Sequence, residues 1–198
     1  MSTWRDHLPK KRPMGFIAAC MLSLLVCVFY PSDLASYRET LNAERPFWVE
    51  PTETKLRFVN TIAQVAMPLL LRDKEGMVQL LAVAVTATVA TQGLKRIVND
   101  VEVGGTRIGE RPYAPDSRHN MPSGHSSMSS CAVYFVARRY GPWHLFYLVP
   151  ILLLTMGARL MLDAHTLSAV LAGCLIGIIC AAWFTSPYRK KQPEETTP

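Results

Sequence analysis

Two histidines and three cations in this chain are spaced so that they could handle a phosphate group. The densest stretch, Met121-Pro122-Ser123-Gly124-His125, opens an apolar segment. At a helix N-terminus the free N–H groups and the positive end of the dipole seat an anion, phosphate above all. Pro122 removes a donor that a first helical turn leaves unpaired in any case. Ser123 adds a hydroxyl, Gly124 a bare backbone and His125 an imidazole that exchanges a proton near neutral pH. Arg159 stands in the otherwise apolar run 156–162, and His165 follows six positions later. A charge at membrane depth is costly and is a functional candidate, although an arginine near a helix end also snorkels to headgroups. Lys95 closes an apolar block, and Arg111 lies in the loop before Met121. Together, Lys95, Arg111 and Arg159 can neutralise phosphate oxygens, arginine through its bidentate fork. One imidazole can attack phosphorus while the other protonates the departing oxygen. No carboxylate cage for magnesium accompanies them, so phosphoryl transfer with no metal and no cofactor is the simpler reading.

These residues need elements that bring them to one place. The chain has 198 residues, 49% hydrophobic, with apolar blocks separated by short charged punctuation. The blocks predict an all-α polytopic membrane protein, a bundle of six transmembrane helices at about 14–30, 57–71, 77–98, 122–139, 143–162 and 166–184. Residues 1–13 form a cytoplasmic N-terminus, 14–184 the membrane domain, and 185–198 a cytoplasmic, disordered tail. A basic start before an apolar block also suits a signal peptide, but no small-x-small cleavage site follows Tyr30, so the block reads as a retained helix. The weakest span is 57–71, interrupted by Asn60, Gln64 and Pro68.

Six spans put both termini on one side. The N-terminus, the 72–76 turn, the 138–142 turn and the tail are dense in Lys and Arg, which makes that side cytoplasmic. Lys95, Arg111, His125, Arg159 and His165 then share the opposite, periplasmic face of a bacterial inner membrane. The net charge of +6 does not indicate nucleic acid, because the basic residues cluster at the termini and in short loops between apolar blocks. Five cysteines, with no C-x-x-C pair, indicate neither a disulfide framework nor a zinc site.

Arg111-Pro112, then Pro122-Ser123-Gly124-His125, then Arg159 with five residues between it and His165, resemble the three signature motifs of the type-2 phosphatidic acid phosphatases. The resemblance spans about 95–173. It implies a six-helix membrane lipid phosphatase with its site at the outer face. It also implies roles: His165 as the nucleophile that forms a phosphohistidine, His125 as general acid and then base, and Lys95, Arg111, Ser123, Gly124 and Arg159 as phosphate ligands. The partner it implies is a membrane lipid phosphate or diphosphate, with polyprenyl diphosphate, lipid A and glycerophospholipid phosphate as the candidates. Three positions depart from the pattern. The family's first-motif lysine falls on Gly104, so that Lys95, or alternatively Arg107, supplies the cation. Ala158 stands where the third motif begins with serine. Ala169 replaces the aspartate that orients the nucleophile, leaving Asp163 as the nearby carboxylate in sequence. These departures keep two alternatives open, a lipid phosphotransferase of the same fold and a catalytically impaired protein that binds lipid phosphate.

Overall fold

The computed structural model describes residues 3–38 and 44–188. Six helices of 14 or more residues dominate it: α1 (Met14–Phe29), α2 (Arg57–Leu70), α3 (Lys74–Val98), α4 (Gly124–Tyr140), α5 (Leu145–Met161) and α6 (Leu167–Phe184). Short helical turns at Leu34–Arg38 and Val49–Pro51 precede a π-helical turn, Thr52–Leu56, that runs directly into α2. Two helix starts differ from the sequence expectation for reasons of capping. The Asp73 carboxylate accepts from the Gly76 amide at 2.9 Å, which starts α3 at Lys74 and not at Met77. Ser123 is extended and caps α4, so α4 begins at Gly124 and Pro122 lies outside it. The stretch read as a polar loop after α3 contains a small hairpin, β1 (Glu102–Val103) and β2 (Thr106–Arg107). It turns through Gly104 and Gly105, both at positive φ, where glycine carries no steric penalty.

Three helices, Lys74–Val98, Pro142–Met161 and Leu167–Phe184, are long and apolar enough to cross a membrane by length and composition, and Met14–Phe29 is a shorter apolar helix. The outward faces suit a lipid solvent. Leu22 of α1, Ile62 of α2, Val85 and Val89 of α3, Leu153 of α5 and Leu171 of α6 are exposed. The low hydropathy of α4 has a packing explanation. It is the central helix, and its serines are buried against neighbours. Ser129 Oγ accepts from the Asn60 side-chain amide of α2 at 2.8 Å, and Ser127 Oγ from Thr91 of α3 at 3.1 Å. Ser130 donates to the Cys174 carbonyl of α6 at 2.8 Å. The polar residues that interrupt the α2 block are therefore interhelical hydrogen-bond partners. α4 and α6 approach closely because α6 offers glycines. A methyl group on Gly177 would overlap Ser130 Oγ and the Ser127 carbonyl, and one on Gly173 would overlap the Ser123 carbonyl. Phe135, Val136, Leu148, Val83 and Ile176 fill the core between these helices.

One end of the bundle is tied by a buried ion pair. The Arg139 guanidinium forks onto both carboxylate oxygens of Asp73 and donates to Gln79 Oε1 and the Ser186 carbonyl, each at 3.0 Å. Tyr140 donates to the same carboxylate at 2.9 Å. Gln79 reaches the His7 carbonyl at 2.8 Å. Thus the N-terminal segment, the α2–α3 turn, the end of α4 and the residues after α6 meet at one end. Of the stretch expected to be a disordered tail, 185–188 is packed into this knot, with the Tyr188 amide on the Arg139 carbonyl at 2.8 Å. Residues 189–198 lie outside the described residues.

Burial would raise the Asp73 carboxyl, but hydrogen bonds from Arg139, the Gly76 amide and Tyr140 outweigh it and hold the group below the usual carboxylate range. A depressed folded pKa adds stability above the unfolded value, and that stability is lost as pH falls through the folded one. Removing one partner of a buried pair costs about 3–5 kcal/mol. Thermal unfolding of Asp73→Asn in detergent is therefore expected to show a large loss at neutral pH that shrinks on acidification. An equal loss at every pH would assign Asp73 to capping alone.

Candidate active site

The other end of the bundle gathers the ends of α3 and α5, the starts of α4 and α6, and the loop 99–123. A cavity of about 720 Å³ opens there, and Lys95, Arg111, Gly124, His125, Arg159 and His165 line it together. Six of the seven residues singled out in the sequence thus meet at one cavity from three helices and two loops. Ser123 does not line it. Ser123 is fully buried, its amide donates to the Ala169 carbonyl at 2.9 Å, and its hydroxyl oxygen accepts from Ser126. Its donors and acceptors serve the fold of the loop. The Gly124 and His125 amides are the first two of the helix and have no intrahelical acceptor. A Cβ on Gly124 would meet nothing within 4 Å, so an anion can come close to the backbone there.

The alternative first-motif cation is placed elsewhere. Arg107, on β2, donates to the Pro115 carbonyl at 2.7 Å and pairs with Asp100 at 3.9 Å. Lys95 instead stands on the cavity wall, facing Arg111 and Arg159. Arg111 donates to Tyr113 Oη at 2.9 Å and to the His119 carbonyl at 3.2 Å. The Nε atoms of Arg111 and Arg159 are buried without an acceptor among the described residues. Buried N–H groups are normally paired, so two unpaired ones on residues that line one cavity suit an anionic ligand.

His165 is almost fully buried, and its Nδ1 lies 2.7 Å from the Asn120 carbonyl oxygen. A carbonyl only accepts, so Nδ1 carries the proton and Nε2 keeps its lone pair. Burial and then the Arg159 guanidinium push the imidazole down to about 2, which keeps it neutral at ordinary pH. Asn120 is itself held: its side chain accepts from the Thr166 amide at 3.0 Å and donates to Thr166 Oγ1 at 3.2 Å and the Ile108 carbonyl at 3.3 Å. This backbone carbonyl occupies the orienting position that sequence comparison leaves vacant at Ala169. Asp163 does turn sharply, at φ 51°, but its described bonds are main-chain ones: its amide donates to the Leu160 carbonyl at 2.8 Å and its carbonyl accepts from the Tyr113 amide at 3.4 Å. Burial raises its carboxyl, and it does not meet His165 Nδ1.

Two residues at the site were not singled out from sequence. Glu53 Oε1 accepts from Arg57 at 2.7 Å and from Arg159 at 2.8 Å, and Arg57 NH1 meets His125 Nε2. The only sequence signal was an i,i+4 acid–base spacing, which usually marks an exposed helical pair.

From this polar mouth the cavity continues as an apolar trough along α3. Met77, Leu80, Leu81, Ala84, Thr88, Thr91 and Lys95 step along it at helical spacing, with Val65 of α2 and Met128 of α4 opposite. Eighteen residues of helix make it about 27 Å long, close to the thickness of a bilayer's hydrocarbon core.

A basic, imidazole-bearing mouth over a trough of bilayer depth defines a helical membrane lipid phosphatase. The chain belongs to the PAP2 superfamily, whose model matches residues 76–193. It is 39% identical over 182 residues to a lipid A 1-phosphatase of Helicobacter pylori strain 26695, covering 92% of this chain and 93% of that one. The corresponding protein of strain J99 is 40% identical over 182 residues, 92% of each chain. A lipid A 4'-phosphatase of strain J99 is 31% identical over 181 residues, 90% of this chain and 87% of that one. No solved structure matches the chain.

Proposed function

We propose that this protein removes a phosphate from lipid A, at the 1-position, on the periplasmic face of a bacterial inner membrane. The observation that carries the chemistry is the convergence of His165, His125, Lys95, Arg111 and Arg159 on one cavity whose other end is an apolar trough. The substrate follows from the 1-phosphatase relatives, which are more similar than the 4'-phosphatase. In this reading all six helices span, with both termini cytoplasmic.

The phosphate sits against Lys95, Arg111, Arg159 and the Gly124 and His125 amides, and acyl chain lies in the trough. His165 Nε2 attacks phosphorus, the bond from phosphorus to the lipid oxygen breaks, and His125 gives that oxygen its proton. Water then attacks the phosphohistidine, His125 takes the water proton, and the nitrogen–phosphorus bond breaks to release phosphate and restore neutral His165. No metal takes part. The Asn120 carbonyl, which holds the nucleophile in the required tautomer, favours this enzyme over an impaired binder.

The test is phosphate release by the purified, detergent-solubilised chain with EDTA present. Its substrates are lipid A bearing only the 1-phosphate, lipid A bearing only the 4'-phosphate, polyprenyl diphosphate and phosphatidic acid. Release from the 1-phosphate at least tenfold faster than from the others is expected. Preference for another lipid would reassign the substrate, dependence on an added acceptor would make the protein a phosphotransferase, and binding without release would make it a binding protein.

A further inference from the structure

We propose that Glu53 and Arg57 form a positioning couple that holds the acid–base histidine, His125, in check until a phosphate arrives. The inference rests on the phosphatase reading above and assigns two residues that lie outside the matched family region. Arg57 NH1 points at His125 Nε2, and a guanidinium only donates, so Nε2 is the accepting, unprotonated nitrogen. In that state His125 has no proton at Nε2 to give. Arg57 is held there from two sides, by Glu53 Oε1 at 2.7 Å and by the Phe58 ring at 4.6 Å. The same Glu53 oxygen holds Arg159. One carboxylate therefore occupies two guanidinium groups, Arg159 on the cavity wall and Arg57 beside the cavity-lining His125, and both have a buried Nε without an acceptor among the described residues.

A phosphate dianion competes for those guanidinium N–H groups, since phosphate takes arginine forks better than a single shared carboxylate oxygen does. When Arg57 and Arg159 turn to phosphate oxygens, His125 Nε2 is released. Glu53 is left beside an imidazole that binds a proton from the medium and becomes the general acid. The charged groups that face His125 are Glu53 and Arg57 from the turn before α2 and its first residue, Lys95 from α3 and Arg159 from α5. Arg57 is the cation whose N–H meets the imidazole nitrogen that a proton would take, and Glu53 the anion that holds it there.

The two residues have opposite signatures, which separates this role from mere packing. The measurement is kcat, KM and the pH profile of kcat/KM for the full chain in detergent with 1-phosphorylated lipid A. Activity requires protonated His125, so the alkaline limb reports it. In Arg57→Gln, KM is expected to rise about tenfold, as a lost phosphate contact would make it, and the limb to move to higher pH by about one unit. In Glu53→Gln the limb is expected to move to lower pH by a similar amount. The double variant returns it close to the wild-type position. If Arg57→Gln does not remain monodisperse, Arg57→Lys is read instead: a raised KM with the limb in place supports the proposal, and an unchanged KM overturns it. Limbs that stay put in both single variants, or move in the same direction, overturn it too. An inactive wild type, or full activity in His165→Ala, overturns the phosphatase reading. An active wild type, dead in His165→Ala, with unmoved limbs overturns only the Glu53–Arg57 couple.

Discussion

A His165→Ala protein is expected to fold, bind lipid phosphate and release no phosphate above background. The side chain is buried at the mouth of the cavity with one hydrogen bond, from Nδ1 to the Asn120 carbonyl. Truncation therefore leaves a single carbonyl to be satisfied, at a cost of about 1–3 kcal/mol, which a protein of this size tolerates. The catalytic cost is of another order. With the nucleophile gone, the covalent path closes, and losses on the order of 10⁵-fold are expected from removing one member of such a unit. His125→Ala should be nearly as severe, because both protonation of the leaving oxygen and activation of water pass through it. The two variants differ in a second measurement. Prolonged exposure to substrate labelled in the phosphate, followed by alkaline quench, should leave label on His125→Ala, where the phosphohistidine forms slowly and is not hydrolysed, and none on His165→Ala. Label retained in His165→Ala would move the nucleophile elsewhere.

Ala169→Asp is the second large effect, and its direction is opposite to the one that family comparison suggests. An aspartate four residues after His165 would restore the family pattern. In this chain the position is fully buried and packed with Val28, Val98, Ile108, Met121 and Ala172. The orienting bond at His165 Nδ1 is already made by the Asn120 carbonyl. A carboxylate forced among these apolar side chains is desolvated, and a buried charge without a partner costs several kcal/mol. Its neighbour in space is also sensitive, because the Ala169 carbonyl holds the Ser123 amide at 2.9 Å. A loss of about 3 kcal/mol or more is expected, seen as a fall in Tm on the order of 10 °C, with phosphate release reduced. Faster release at an unchanged Tm would show that the new carboxylate reaches His165 and that Asn120 is a poor substitute for it.

The chemistry was legible where residue type and short spacing carry it. Pro122 to His125 at the head of an apolar block, and Arg159 six positions before His165, need no tertiary knowledge, because a helix end and its free amides follow from local sequence. The arrangement of blocks likewise predicts six helices with both ends of the chain together, since each apolar block must cover a backbone that lipid cannot hydrate.

Other features arise only when distant segments pack. No residue type announces that the Asn120 main-chain carbonyl holds His165, since every residue owns a carbonyl. The structural duty of Ser123 depends on the Ala169 carbonyl, 46 residues away, and the choice between Lys95 and Arg107 on the hairpin that turns Arg107 towards Asp100. Glu53 meets Arg159 only because α5 comes to it across 106 residues. Local sequence determined which groups were available and which helix ends would carry them. Tertiary packing decided which donors stayed unpaired, because pairing is a property of neighbours in space.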